Sequence, residues 1–240
     1  MDLPQQFDTK ASPRVGVLYT LEATNTSFRV NAGEGFKLPS FFALGHPLVG
    51  NPNLLPETSR SVDAGVSQAL WGQRFTIGVT YFYSAFTDLI DFDPGPPPRL
   101  VNRSQTTAQG VEMSLRLQPW PYFSTTAHLT YLQTDIQGTT DKLRNRPKWR
   151  GGFAVQWSPR PDLDVHLHTI VVGAVPDSSI PTGARTLDPY ARVDLVVNWT
   201  LTRHWQVFVA VDNLFDTNYE EFIGFPAPGV SPRAGVRASF

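Results

Sequence analysis

Two histidines with the spacing of a metal site lie in the stretch DVHLHT, at His166 and His168. Residues two apart on a β-strand point to the same face, so both imidazoles share a face with the carboxylate of Asp164. Imidazole and carboxylate groups are ligands that zinc accepts. The same polar side chains also suit the water-facing wall of a pore, and we favour this second interpretation, so no metal site is predicted.

Acidic residues near the C-terminus raise the question of a calcium site, and they are Asp212, Asp216, Glu220 and Glu221. Their spacing lacks the oxygen ligand at every second position and the central glycine of an EF-hand loop. Asp212 and Asn213 instead fit the turn chemistry expected at the end of a strand. We expect neither a metal nor a cofactor here.

Catalytic patterns are scarce. The sequence has no cysteine, which excludes thiol nucleophiles and cysteine-based zinc sites. It contains neither a glycine-rich phosphate loop nor a Gly-x-Ser-x-Gly elbow. A hydrolase embedded in a barrel would use His128, but no acyl-transfer motif surrounds that residue. We predict no catalytic residues and no enzyme activity.

The elements that hold these side chains follow a period of two. In RFTIGVTYFYSA the apolar positions are Phe75, Ile77, Val79, Tyr81 and Tyr83, and polar or small residues occupy all but one of the positions between them. This alternation is typical of a strand with one apolar and one polar face. We predict that odd-numbered apolar positions from about Phe75 to Val211 face lipid.

About eleven segments share this pattern, and helical periodicity is absent. They lie near 11–21, 26–36, 58–71, 73–87, 106–118, 121–134, 149–158, 162–173, 189–202, 204–214 and 232–240. Short turns alternate strictly with long loops near 37–57, 88–105, 135–148, 174–188 and 215–231. Short turns at one end and long loops at the other are typical of an outer-membrane β-barrel.

Tryptophan and charged residues support the same fold. Trp71, Trp120, Trp157, Trp199 and Trp205 all lie near short turns, as in an interfacial aromatic girdle. In a soluble β-sandwich these rings would be core anchors instead. A sandwich would also bury charges of the polar face, at several kcal/mol for each unpaired charge, whereas a wide barrel exposes them to water.

Composition limits the remaining classes. The chain has 240 residues, 41% hydrophobic and 17% charged, enough for one sizeable folded domain. A net charge of -1 gives no reason to expect a nucleic-acid partner. No run of about 18 apolar residues is available for a transmembrane helix. The N-terminal residues have no signal-peptide pattern, and an odd strand number suggests an incomplete barrel, because single-chain barrels usually have an even number.

Several motifs resemble one family. GFKLPS from Gly35 and GNPNLLPE from Gly50 are similar to the Gly-Phe-x-x-Pro-Ser and Gly-Asn-Pro-x-Leu-x-Pro-Glu segments of TonB-dependent outer-membrane receptors. The stretch NRSQTTAQGVEMSL from Asn102 resembles a return strand of these barrels. DNLFDTNY from Asp212 resembles their Asn-Leu-Phe-Asp-x-x-Tyr signature.

The resemblance implies an all-β, antiparallel up-and-down transmembrane barrel, with residues 1–240 as the C-terminal half of about 22 strands and no plug domain. It implies uptake of siderophore-iron, cobalamin or similar nutrients across the outer membrane of a Gram-negative bacterium. TonB, ExbB and ExbD would energise the intact receptor, and the present chain alone would not transport. A passive porin and a soluble β-rich binding module remain the alternatives.

Two sets of residues are site candidates. Phe41, Phe42 and His46 lie in the loop that the resemblance places outside the cell, and we predict that they contact a small-molecule ligand. Val236, Ala238 and Phe240 lie on one face of the last strand. A terminal aromatic there resembles the sorting signal read by the barrel-assembly machinery, and the ring would also anchor in outer-membrane lipid.

Overall fold

The computed structural model describes residues 10–240, and an antiparallel sheet of eleven strands dominates it. The elements in chain order are β1 (Arg14–Leu21), β2 (Thr26–Lys37), α1 (Phe41–Gly45), β3 (Glu57–Leu70), β4 (Phe75–Asp93), β5 (Arg99–Trp120), β6 (Phe123–Ile136), β7 (Trp149–Arg160), β8 (Leu163–Val172), β9 (Val175–Ser179), β10 (Gly183–Leu187), β11 (Tyr190–Thr200), β12 (Trp205–Asp212), β13 (Glu220–Phe222), β14 (Phe225–Pro226) and β15 (Ser231–Ala238). The large sheet follows chain order and omits only the hairpins β9/β10 and β13/β14. The predicted up-and-down sheet of eleven strands is therefore confirmed.

The strand register makes each face of the sheet chemically continuous. One row of paired residues runs from Phe28 through Val66, Val79 and Met113 to Leu129. These side chains stay 39–49% exposed, because no second layer covers them. A soluble sandwich would bury such a row in its core, whereas a membrane barrel presents it to lipid.

The opposite face carries polar and small side chains. The adjacent row pairs Arg29 with Gly65, Thr80, Glu112 and Thr130. Because successive residues of a strand alternate between faces, every residue of this row points away from the lipid-facing row. The predicted division into an apolar and a polar face is confirmed along these rows, from β2 to β6.

One expectation about the long connections is wrong. Most of the predicted loop 88–105 is strand, since β4 and β5 continue pairing from Leu89 with Arg103 to Asp93 with Arg99. The chain turns only at the proline-rich segment 94–98. The loop between β2 and β3 contains α1, a helix of five residues. Such a short helix shows no periodicity, and a cap rather than an apolar stripe forms it.

The buried apolar residues gather at the long-loop end of the sheet. Val172, Val175, Leu187 and Ile223 form a cluster in which the β9/β10 hairpin and the β13/β14 hairpin meet the end of β8. The predicted loops 174–188 and 215–231 are therefore folded structures that pack together. Within residues 10–240, no helix has the length and apolarity needed to cross a membrane.

The sheet is open along two edges. Within residues 10–240, β1 and β15 each pair with a single neighbour. In an antiparallel meander of eleven strands the first and last strands run in the same direction, so direct closure would need a parallel junction. Unpaired backbone groups in lipid cost several kcal/mol each, so both edges need a partner when the sheet lies in a membrane.

Candidate functional site

The loop between β2 and β3 begins with the capped helix α1. The hydroxyl of Ser40 accepts a hydrogen bond from the backbone N–H of Ala43 at 3.1 Å. This cap satisfies one of the free donors at the helix start and fixes the direction of the chain. Ala43 is buried, whereas Phe41 and Phe42 are 77% and 59% exposed. Two aromatic rings of the predicted ligand site are thus presented at the surface.

His46 has a structural role that the sequence did not indicate. Its ring lies 4.5 Å from the ring of Phe42, centroid to centroid. Its Nδ1 accepts from the backbone N–H groups of Leu48 and Val49, both at 3.3 Å. The structure therefore brings Phe42 and His46 together, and only the other ring nitrogen of His46 is left for a ligand.

The GNPNLLPE motif anchors this loop to the neighbouring hairpin. The side chain of Asn51 donates to the carbonyl of Leu100 at 3.0 Å and accepts from the N–H of Asn53 at 3.0 Å. Asn102 exchanges two hydrogen bonds with the backbone of Leu55, at 2.8 and 3.0 Å. Asn51 and Asn102 are structural, because their side-chain amides satisfy backbone groups that join the loop between β2 and β3 to β5.

An interloop ion-pair network, made by Asp91, Arg103, Asp141, Arg144 and Asp177, joins three more connections. Arg103 pairs with Asp91 at 3.2 Å and with Asp141 at 3.5 Å. Arg144 lies 3.9 Å from a carboxylate oxygen of both Asp91 and Asp177. The network therefore links the β4–β5 hairpin, the loop after β6 and the β9/β10 hairpin.

Asp177 is the most buried acid of this network. Its side chain is 5% exposed. One carboxylate oxygen accepts from the N–H of Ser178 at 2.8 Å, and the other accepts from the N–H of Ile223 at 3.0 Å. The second bond adds the β13/β14 hairpin to the connected loops. Residues 177 and 223 are far apart in sequence and lie outside any periodic segment, so no sequence signal linked them.

The DNLFDTNY motif forms a turn. Asn213 has a φ of 52° and is buried, and its side chain bonds to the backbone of Thr217 in both directions at 2.9 Å. Asp216 accepts from the N–H of Val230 at 2.9 Å. Among residues 10–240, no three His, Cys, Asp or Glu side chains are grouped for a metal ion. The predicted turn role of Asn213 is confirmed.

The histidines of the polar face have different neighbours. His168 approaches Asp194 of β11 at 3.9 Å, and Asp164 accepts from the hydroxyl of Ser158 at 2.6 Å. His128 lies over Gly152 of β7, in the space that a Cβ atom would fill. Each histidine is thus part of a polar wall.

The short turn between β7 and β8, at the opposite end of the sheet, contains the carboxylate of Asp162. The indole N–H of Trp199 donates to the carboxylate of Asp162 at 2.9 Å, and Arg160 pairs with the same oxygen at 2.9 Å. The hydrogen bond from Trp199 and the charge of Arg160 lower the pKa of Asp162 below its ordinary value. Trp199 is therefore held at the level expected for the aromatic girdle.

The C-terminal residues lie beside this end of the sheet. Val236 and Ala238 pair with Val207 and Trp205 of β12 and share their apolar face. The ring of Phe240 is 97% exposed and meets Trp205 edge-on at 6.2 Å. The chain end is held by His204, whose backbone carbonyl accepts from the N–H of Ser239 at 2.9 Å. The structure therefore places the predicted assembly residues together on the lipid-facing side.

The sequence of this chain is similar to those of known transporters. Among curated proteins, the vitamin B12 transporters BtuB of Vibrio vulnificus and of Photobacterium profundum are 28% and 29% identical over 80% and 79% of this chain. The chain spans 31% of the length of either relative.

Solved structures share the architecture at low sequence identity. The copper transporter OprC has a TM-score of 0.77 at 19% identity, over 95% of this chain and 39% of that one. The ferric-catecholate import receptor Fiu from K12 E. coli has a TM-score of 0.76 at 18% identity, over 95% of this chain and 34% of that one.

The family match covers most of the sequence. Residues 2–214 match the family described as TonB dependent receptor-like, beta-barrel. Its members are transporters and receptors of the Gram-negative outer membrane, which agrees with the lipid-facing and polar faces of the sheet. This chain belongs to the TonB-dependent receptors and forms part of their β-barrel.

Proposed function

We propose that this chain is the C-terminal part of the barrel of an outer-membrane receptor that takes up a scarce nutrient. The observation that carries the proposal is the family match over residues 2–214, in a chain whose eleven-stranded sheet is open at both edges. The remaining strands and a plug domain would come from a part of the receptor that this chain does not contain. The chain alone would not transport, because a half-barrel has no gated passage.

Cobalamin or a siderophore-iron complex is the proposed class of nutrient. The support for cobalamin is the similarity to vitamin B12 transporters, at 28% and 29% identity. The support for iron complexes is the fold shared with siderophore receptors. Within the chain, Phe41, Phe42 and His46 are the proposed ligand contacts, since exposed aromatic rings bury well against a flat organic ligand.

Two further partners complete the proposal. Energy for uptake would come from the TonB–ExbB–ExbD system through the N-terminal region of the receptor. Assembly into the membrane would use the barrel-assembly machinery, with Val236, Ala238 and Phe240 as the recognised apolar face. These residues line one face of an edge strand, which leaves their backbone and side chains accessible before the barrel closes.

Uptake of labelled cobalamin and labelled ferric siderophores tests the proposal. Cells lacking other receptors would carry the complete gene that encodes this chain, with or without tonB. We expect uptake of one ligand class at nanomolar concentration, and its loss without tonB. Uptake that is independent of tonB and does not saturate would indicate a passive porin and reject the proposal.

A further inference from the structure

An ion pair lies on the lipid-facing side of the sheet, towards its long-loop end. Glu34 of β2 and Arg60 of β3 are cross-strand partners, and Nε of Arg60 lies 2.9 Å from a carboxylate oxygen of Glu34. Arg60 is an even number of residues from Val66 on the same strand, so it shares the face of the lipid-facing row. The side chain of Arg60 is 83% exposed. The structure therefore places a charged group on the wall that faces lipid.

The height of this ion pair in the membrane follows from the register of β3 and β4. Leu70 pairs with Phe75 beside the short turn that contains Trp71. Arg60, ten residues from Leu70 along β3, pairs with Ala85. Ten residues with a rise of about 3.3 Å each and a tilt of about 40° climb about 25 Å, which is the height of the apolar band of such barrels. The ion pair therefore lies at the outer edge of that band, at the level of the lipid headgroups.

A recess of about 490 Å³ opens beside Arg60 at this level. Most of its wall comes from lipid-facing residues of β2 to β5, which include Glu34, Arg60, Tyr83, Gln105 and Thr107. Lys10 also lines the recess, and its Nζ lies 6.0 Å from the ring centre of Phe36. None of the proposed nutrient contacts lines it. The recess is therefore a feature of the outer wall and is separate from the loop that carries those contacts.

The wall of the recess offers more donors than acceptors. Arg60 contacts Glu34 through Nε, and within residues 10–240 its two terminal nitrogens make no hydrogen bond. Tyr83 is 36% exposed, and neither its hydroxyl nor that of Thr107 bonds to another side chain in the same part of the molecule. Among the described residues that line the recess, Glu34 is the one carboxylate, since Asp135 lies beyond Thr107 on β6. Two cations thus face one carboxylate, which favours an anionic group as occupant.

We propose that the recess binds the phosphorylated headgroup of an outer-leaflet glycolipid, with Arg60 and Lys10 as its cationic contacts. The free edge of a guanidinium donates to two oxygens of one phosphate, and an ammonium adds a point charge. The height of the recess favours a lipid over a free solute. Tyr81 and Val79 continue the lipid-facing side of β4 below Tyr83, so the acyl chains of the same lipid would lie along them. The proposal goes beyond nutrient uptake and does not rest on it.

Three lipids test the recess. Lipid A carries two phosphates, monophosphoryl lipid A carries one, and phosphatidylcholine has no net charge. Each lipid is titrated into the complete receptor in detergent, and native mass spectrometry gives the apparent dissociation constants. We expect lipid A to bind at least about tenfold more tightly than phosphatidylcholine, with monophosphoryl lipid A between them. Inorganic phosphate at millimolar concentration should not displace lipid A, because a free anion lacks the acyl chains.

Variants separate the recess from general charge effects. Lys10→Gln/Arg60→Gln should weaken lipid A binding by about tenfold or more and leave phosphatidylcholine binding unchanged. The matched control is Arg14→Gln, which removes a cation at a similar height from the polar face, where Arg14 pairs with Gly33. Glu34→Gln should strengthen lipid A binding by about two- to fivefold, because it removes the carboxylate that competes for Arg60. Heat-modifiable migration confirms that each variant is folded.

The outcomes decide between a headgroup site and a structural ion pair. Equal binding of lipid A and phosphatidylcholine, or unchanged lipid A binding in Lys10→Gln/Arg60→Gln, rejects the headgroup site. Weaker lipid A binding in Glu34→Gln would also reject it, because a structural ion pair loses its function with either partner. Displacement of lipid A by inorganic phosphate would assign the recess to a free anion and overturn the lipid assignment. None of these measurements depends on tonB, so the proposal and the uptake function can fail separately.

Discussion

Removal of the Asp177 carboxylate should release the long loops and leave the sheet intact. In Asp177→Ala, the N–H groups of Ser178 and Ile223 lose their acceptor, and Arg144 loses one of its two carboxylate neighbours. Hydrogen bonds to a charged acceptor contribute about 1.5–3 kcal/mol each, and the contact with the partly exposed Arg144 at 3.9 Å adds little. The loops regain water when they open, which offsets part of this loss. We therefore expect Asp177→Ala to lower the free energy of local opening by about 3 kcal/mol.

Hydrogen exchange of the complete receptor measures this change directly. Each 1.4 kcal/mol corresponds to a factor of ten, so amides near Ile223 should exchange about 10²-fold faster in Asp177→Ala. Amides of β4 and β5 that lie within the membrane should keep their protection. The matched control is Asp188→Ala, which removes an exposed carboxylate from the same connection. Equal exchange in the two variants, or loss of protection throughout the sheet, would refute the role given to Asp177.

Three further predictions concern the membrane-spanning part and its short-turn end. Val79→Arg should lower the stability of the complete barrel by about 2–4 kcal/mol in a chemical unfolding titration, because it places a charge in lipid. Thr80→Arg, on the polar face, should lower it much less. Equal losses in the two variants would contradict the assignment of faces. Deleting Phe240 should reduce the amount of folded, heat-modifiable receptor in the outer membrane. Phe240→Tyr should reduce this amount less than Phe240→Ser, because a ring still reaches the interface. Normal amounts after the deletion would leave Phe240 with an anchoring role only. The lowered pKa of Asp162 means that its contribution to stability is complete above the pKa of an unfolded aspartate and is lost as pH falls through the folded value. The fluorescence of Trp199 in the native receptor should therefore change at a pH below the ordinary pKa range of aspartate. The fluorescence should not change with pH in Asp162→Asn. A transition within the ordinary pKa range would contradict the assigned hydrogen bond.

The strands were predictable because their signal is local. A residue such as Val79 differs in polarity from its neighbour Thr80, and this alternation is all that a strand with one lipid face requires. The same logic failed between Asp88 and Gln105, where adjacent apolar residues at 89–90 and 100–101 interrupt the alternation and the prolines suggested a loop. It also missed the helix at Phe41, since five residues are too few to display a period.

The candidate site was only partly predictable. The sequence singled out Phe41, Phe42 and His46 through their motif, and the structure adds that His46 supports the loop backbone. The turn role of Asn213 followed from its residue type, because asparagine tolerates a positive φ and bonds to nearby backbone.

The sequence by itself determined the strand count, the two faces, the alternation of short and long connections and the family, because each depends on neighbouring residues or on contiguous motifs. Only the tertiary structure decided that Asp91, Arg144 and Asp177 meet. Loop residues have no period, and their partners come from different strand connections. Their contacts depend on how the sheet brings the ends of β4, β6 and β8 side by side, which no local pattern encodes.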